Sequence, residues 1–185
     1  VGVAFKVAQA LLTDGAPVED KSELPTELLD LVALGEIADM VSLTDENRTL
    51  VSWGLKQMAE TPRPGVAALL KSAGQLPEQP IISETVSFKM APRLNAVGRL
   101  GDAKLALDLL LTQSPDAATD MATQIEAINA QRQAIVEEVF GAAKQLALSA
   151  THANDQVLVV AGENWHQGIL GIVASRLVEL LHKPV

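Results

Sequence analysis

The chain has 185 residues, 48% of them hydrophobic and 3% aromatic, enough for one ordinary domain or two small pieces with a core built on Leu, Val, Ile and Ala. A formal net charge of −9 excludes a broad surface that coats nucleic acid, but not a narrow site where a few arginines or a metal ion meet a phosphate. The absence of cysteine excludes disulfides, thiolate metal sites and a cysteine nucleophile, and no apolar run is long enough to cross a bilayer.

Residues 3–12 read as a short helix, with Val3, Val7, Leu11 and Leu12 near helical spacing. Residues 13–25 form a polar, acidic loop punctuated by Gly15, Pro17 and Pro25. Thr26 caps a helix over 27–38, with Leu28, Leu31, Val32 and Ala33 as its buried stripe. Thr44 or Asp45 opens a helix through Met58, with Leu50, Trp53, Gly54 and Leu55 inward. Thr61-Pro62-Arg63-Pro64-Gly65 is a rigid break before a short helix at 66–73, and Gly74 to Pro80 is a loop.

Ser83 caps a helix over 84–90 that leads into Ala91-Pro92-Arg93-Leu94-Asn95-Ala96-Val97-Gly98-Arg99-Leu100, read as a short turn containing Gly98. Asp102 starts another helix, with Leu105, Leu109 and Leu110 apolar. Ser114-Pro115 is a cap followed by proline at the first helical position, and no strong break comes until about Ala150. Met121, Ile125, Ile128, Ile135, Val139 and Leu146 recur along this stretch, which predicts a helix of about 30 residues, roughly 45–50 Å long. Its length suits a strut between two domains. Gln156-Val157-Leu158-Val159-Val160-Ala161 has the short apolar character of a buried strand, and 168–182 that of a helix. Together they read as the first βα unit of an α/β domain, begun and not completed. Both ends read as cut from a longer protein, which leaves apolar surface open to self-association.

Four groups of residues carry candidate chemistry. Arg93 and Arg99 have forked donors suited to phosphate oxygens, and Asn95 both donates and accepts. The alternative is a solvated loop with an internal Arg–Asn hydrogen bond. Asp39 ends an apolar helix, and is either a cap for the next segment or a ligand for a metal. Glu36, three positions earlier, is a competing ligand that could equally face solvent. His166 lies where a strand meets a helix N-terminus, so it either holds a phosphate or caps the helix; Gly168 and Gly171 permit close approach. Trp165 reads as a packing residue or a platform for base stacking. Arg48 reads as held by Asp45 or Glu46 within one helical turn, the alternative being a phosphate contact, and Asn129 and Arg132 as solvent-facing residues of the long helix, the alternative being that they face a groove.

Five blocks in order resemble the single-strand-specific exonucleases of the bacterial DHH phosphoesterase family: 2–6, 31–41, 46–48, 92–100 and 165–176. The resemblance covers nearly the whole chain. It implies an α/β parent in which this chain is mostly α-helical. Residues 1–112 would belong to the first, catalytic domain, 113–150 to a connecting helix and 151–185 to a truncated second domain of the DHHA1 type. It implies 5′-to-3′ digestion of single-stranded DNA to mononucleotides in repair and recombination, with two Mn²⁺ or Mg²⁺ ions, in the cytoplasm and without a membrane. Asp39 would ligate metal. Arg93, Asn95, Arg99, His166 and Gly168 would bind the strand. Repair proteins such as a helicase or a single-strand-binding protein are implied partners. The paired-aspartate, Asp-His-His and glycine-rich histidine blocks of that family are absent here. The chain alone is therefore expected to be inactive and to bind catalytic metal weakly at best. Alternatives within the same resemblance are a phosphoesterase for short oligonucleotides or cyclic dinucleotides, and a catalytically dead replication scaffold.

Overall fold

The computed structural model describes residues 1–14, 26–149 and 156–185. Most of the expected acidic loop, from 15 to 25, and His152 lie outside the described residues. Among the described residues all regular structure is helical: α1 (Gly2–Asp14), α2 (Leu29–Ala38), α3 (Asp45–Ala59), α4 (Pro64–Ser72), α5 (Ala91–Leu100), α6 (Lys104–Leu111), α7 (Pro115–Ala147) and α8 (Gln167–Leu181). A 3₁₀ turn, Thr26–Leu28, precedes α2, and a π-helical stretch, Thr85–Met90, runs directly into α5. The chain divides into two compact units, one of residues 1–92 and 107–122, the other of 93–106 and 123–185.

In the first unit, α2 lies at the centre. Leu29, Asp30, Val32, Ala33, Leu34, Glu36 and Ile37 are all buried, so it is covered on nearly every side rather than along one stripe. α3 packs on it through Gly54: a methyl group there would overlap the Leu29 carbonyl oxygen and the Ala33 side chain. This close approach sets the inward face of α3 as Val51, Gly54 and Met58, at helical spacing. Trp53, expected inward, is therefore turned out and is 59% exposed, with the Lys56 ammonium 4.8 Å from its ring centre. The stripe expected on α1 is also on the outside, with Val3 80% and Leu11 71% exposed, while Phe5 packs against Leu29 and Val32. Asp30 is fully buried and paired with Arg63.

The second unit is built where α8 packs on the later turns of α7. Val136, Val139 and Ala143 meet Ile169, Val173 and Leu177, with Trp165 and Leu100 at the edge. Arg176 stacks its guanidinium over Phe140 at 4.1 Å and reaches Glu137 at 2.7 Å, tying the same two helices at the surface. The strand expected at 156–161 does not form as such. Leu158 N–H donates to the Pro184 carbonyl at 2.9 Å, one rung between this segment and the residues after α8. A strand is defined by a ladder, and a single rung between two short segments does not make one.

α7 has the predicted start: Ser114 Oγ accepts from Ala117 N–H at 3.3 Å and Pro115 stands first. Its 33 residues make it about 50 Å long. Its buried positions are Ala118, Ala122, Ile125, Asn129, Val136, Val139, Ala143 and Ala147. That seam shares Ile125 and Val139 with the expected one, but Met121, Ile128 and Ile135 are half-buried, Leu146 is exposed, and Asn129 is included.

Candidate functional site

The segment read as a turn at 91–100 is a helix. Pro92 has no N–H to give, so an ordinary α-helical bond to residue 88 is impossible, and a proline usually ends a helix. Here the backbone widens instead. Ala91 N–H donates to Val86 O, five residues back, and the π turn carries the helix through the proline. This geometry divides the three candidate residues. Asn95 and Arg99 are four apart and share a face, whereas Arg93 is about 160° around the axis from Asn95.

Arg93 is drawn to α7, where its Nε donates to Glu126 Oε2 in an ion pair that leaves the arginine side chain 16% exposed. Asn95 is exposed. Arg99 sits at the end of α5 against the start of α8. Its Nη1 donates to the Gly168 carbonyl at 2.9 Å, and its own carbonyl oxygen lies where a side chain on Gly168 would have to be. Gly168 is thus glycine because Arg99 needs the space. His166 is the N-cap of α8: its Nδ1 accepts from Gly168 N–H at 3.1 Å. An accepting Nδ1 leaves the ring proton on Nε2, on an exposed side chain, as a free donor. Arg99, His166 and Gly168 therefore meet in one place, while Arg93 is engaged elsewhere on α5.

Two further residues belong to this cluster, and sequence reasoning placed them in solvent. Asn129 is 2% exposed, and its Oδ1 accepts from Arg132 Nη2 at 2.9 Å. Burial, and then the charge of nearby Arg99, hold the Arg132 guanidinium below its ordinary value. The signal in the sequence was a gap in the apolar seam of α7: the steps after Ile125 fall on Asn129 and Arg132 before returning to Val136. Trp165 packs over Gly162, where a methyl group would overlap its indole, as expected for a packing residue.

Asp39 stands at the C-terminal end of α2, not at the start of the next helix, which corrects its reading as a cap for the segment after it. α2 closes with Met40 N–H donating to Ile37 O at 3.1 Å and Val41 N–H to Glu36 O at 3.3 Å. Met40 takes a left-handed φ of 56° to make that turn, at a cost of roughly 1–2 kcal/mol for a non-glycine residue. Backbone bonds thus fix where Asp39 stands. Its side chain is exposed, and among the described residues its carboxylate has no hydrogen-bond or ion-pair partner. A carboxylate at the negative end of a helix dipole works against stability, and a cation would offset it.

Glu36 is excluded as a second ligand in this arrangement. It is buried, and its carboxylate accepts from Gly2 N–H. Glu46 pairs with Lys6 at 2.6 Å instead of holding Arg48. Among the described residues no three His, Asp or Glu side chains gather to hold a metal ion. The exposed, unpartnered carboxylate of Asp39 is a hard oxygen donor of the kind divalent cations take.

No helix among the described residues is long and apolar enough to cross a membrane. No family model matches the chain. Over its whole length it is homologous to proteins named single-stranded-DNA-specific exonuclease RecJ. It is 42% identical to that of Bacillus subtilis over 185 residues and 37% identical to that of Escherichia coli over 195. Those alignments take in all of this chain and 22% and 34% of the two relatives. The chain superposes on an exonuclease RecJ bound to manganese with a TM-score of 0.82 at 34% identity, over 98% of this chain and 44% of the other. It matches RecJ of Thermus thermophilus in complex with Mg²⁺ at a TM-score of 0.80 and 33% identity, over 95% and 26% of the two chains.

Proposed function

We propose that this chain is the helical part of a metal-dependent, 5′-to-3′ single-stranded DNA exonuclease that hydrolyses phosphodiesters to mononucleotides in repair and recombination. The observation that carries the reading is homology along the entire chain to RecJ exonucleases, 42% identical in the case of Bacillus subtilis. The chain spans about a fifth to a third of those relatives, so activity belongs to the longer protein. The proposed division runs 1–112 for the catalytic domain, 113–150 for the connecting helix and 151–185 for the start of a second domain. The same reading locates the enzyme in the cytoplasm, with repair proteins such as a helicase or a single-strand-binding protein as partners.

Asp39 would hold Mn²⁺ or Mg²⁺ together with donors outside the described residues. The ions supply an activated water and neutralise charge on the phosphate. The chain's own residues bind and orient the strand. Arg99 keeps donors beyond the one given to Gly168, and its fork matches phosphate oxygens. His166 offers Nε2–H, and Asn95 an exposed amide on the same face of α5 as Arg99. Arg93, with Glu126 against it, steadies α5 on α7.

The test is nucleotide release from labelled single-stranded DNA by the full-length protein, wild type beside Asp39→Ala and Arg99→Ala. The expected result is loss of at least about a hundredfold in kcat for Asp39→Ala, since a metal ligand supplies several kcal/mol to the transition state. Full activity in Asp39→Ala sinks the metal role. A wild-type enzyme that spares long strands but cuts dinucleotides moves the substrate to short oligonucleotides.

A further inference from the structure

The two arginines at the end of α5 and in the middle of α7 share a property that no stabilising role explains. Arg132 is half-buried and continues the seam of α7, where the spacing from Ile125 and Asn129 to Val136 calls for an apolar residue. One of its nitrogens, Nη2, is held by Asn129. Its Nε–H is shut off from solvent and has no hydrogen-bond partner. A buried donor left unmade is destabilising.

The neighbouring charge makes this worse. Arg99 is close enough to disfavour charge on Arg132, and a guanidinium does not escape by losing its proton. Arg99 itself donates to a neutral group, the Gly168 carbonyl. Among the described residues neither guanidinium meets a carboxylate. Two like charges, one with a buried and unused donor, are arranged at a cost that a bound anion removes.

We propose that Arg132 and Arg99 form a phosphate-binding site, with Asn129 holding Arg132 in position, and that its ligand is a backbone phosphate of single-stranded DNA. The unpaired Nε–H of Arg132 and the Arg99 charge beside it favour an anion. The DNA rests on the function proposed above. A phosphodiester is the fitting anion because its two free oxygens face the parallel donors of a guanidinium fork. Arg132 is then a substrate-binding residue beyond Arg93, Asn95, Arg99, His166 and Gly168, and Asn129 is a positioning residue.

The experiment uses the full-length protein without metal, in EDTA. Binding of fluorescein-labelled dT12 is followed by anisotropy at several salt concentrations. The thermal midpoint is recorded with and without inorganic phosphate. Arg132→Met is expected to weaken dT12 binding about tenfold, the order of one charge-assisted contact, and to lower the salt slope by about one. Its midpoint should change little, because removing the unpaired Nε–H offsets the loss of the donor to buried Asn129 Oδ1. Inorganic phosphate should raise the wild-type midpoint and leave that of Arg132→Met unmoved. Arg132→Lys, which keeps the charge but loses the fork, should fall between the two, and Lys144→Gln on the same helix should bind within about twofold of wild type.

If Arg132→Met and Arg132→Lys bind dT12 as wild type does, and phosphate still raises their midpoints, the site is elsewhere and the exonuclease reading survives. A lowered midpoint in Arg132→Met with unchanged binding in Arg132→Lys makes the residue structural and overturns the proposal. If phosphate acts through Arg132 while no form binds dT12, the anion site stands and the single-strand reading fails.

Discussion

Arg63 in the first unit and Arg132 in the second are both partly buried, and they are treated in opposite ways. In the first unit Arg63 meets Asp30, which is completely buried. Arg63 Nε donates to Asp30 Oδ1 at 3.2 Å, and its Nη2 to the Glu27 carbonyl at 3.0 Å. Asp30 also accepts from Thr61 Oγ1 at 2.7 Å and from Leu31 N–H at 2.7 Å. A buried carboxylate with three kinds of donor around it is fully answered. In the second unit Arg132 has an amide for a partner, an arginine for a neighbour and an Nε with none. The contrast separates a charge kept for the fold from a charge kept for something not yet present.

Removing the charge from each side of that comparison should therefore have opposite effects on stability. Asp30→Ala leaves Arg63 unpaired and should cost about 3–5 kcal/mol, read as a lower midpoint in urea or on heating. A loss below about 1 kcal/mol would mean that the Asp30 network is not what holds α2 to the Thr61–Pro64 break. Gly168→Ala pushes a methyl group into the Arg99 carbonyl and should cost about 1–3 kcal/mol by overpacking. It should also weaken oligonucleotide binding, since Arg99 must move.

The paired change Asn129→Leu with Arg132→Met completes the apolar seam of α7 and should be neutral or stabilising by about 1–2 kcal/mol. A destabilised double variant would put Arg132 in the same class as Arg63. Asp39→Ala should alter stability by less than about 0.5 kcal/mol, because backbone bonds set the turn and the dipole opposes the carboxylate.

Much of the helix order was legible because its punctuation is chemical. Ser114-Pro115, Asp102 and Pro64 each start helices close to where capping and proline rules put them. The meeting of Arg99, His166 and Gly168 was foreshadowed by grouping them as binding residues, though their grouping came from resemblance and not from spacing. What the sequence hid depends on tertiary contact. Pro92 reads as a helix breaker until the π turn before it is known. Trp53 reads as inward until the close seat of Gly54 on α2 fixes the rotation of α3. Asn129 and Arg132 read as solvated because polar residues on a helix usually are. Only their place in a heptad-like run of buried positions distinguishes them. The 156–161 segment reads as a strand from its own composition, but strand pairing is a property of neighbours.

The π turn at Thr85–Met90 has a further consequence, in what kind of genetic change this region tolerates. Such a turn holds one residue more than an α-helix needs for the same path. Substitutions within it leave that count alone. Loss of a single codon would remove the surplus, restore ordinary α-helical bonding up to Pro92, and turn the face bearing Asn95 and Arg99 by about 100° relative to 83–84. The helix would be more regular and its chemistry misdirected, so in this stretch the number of residues matters more than their identity.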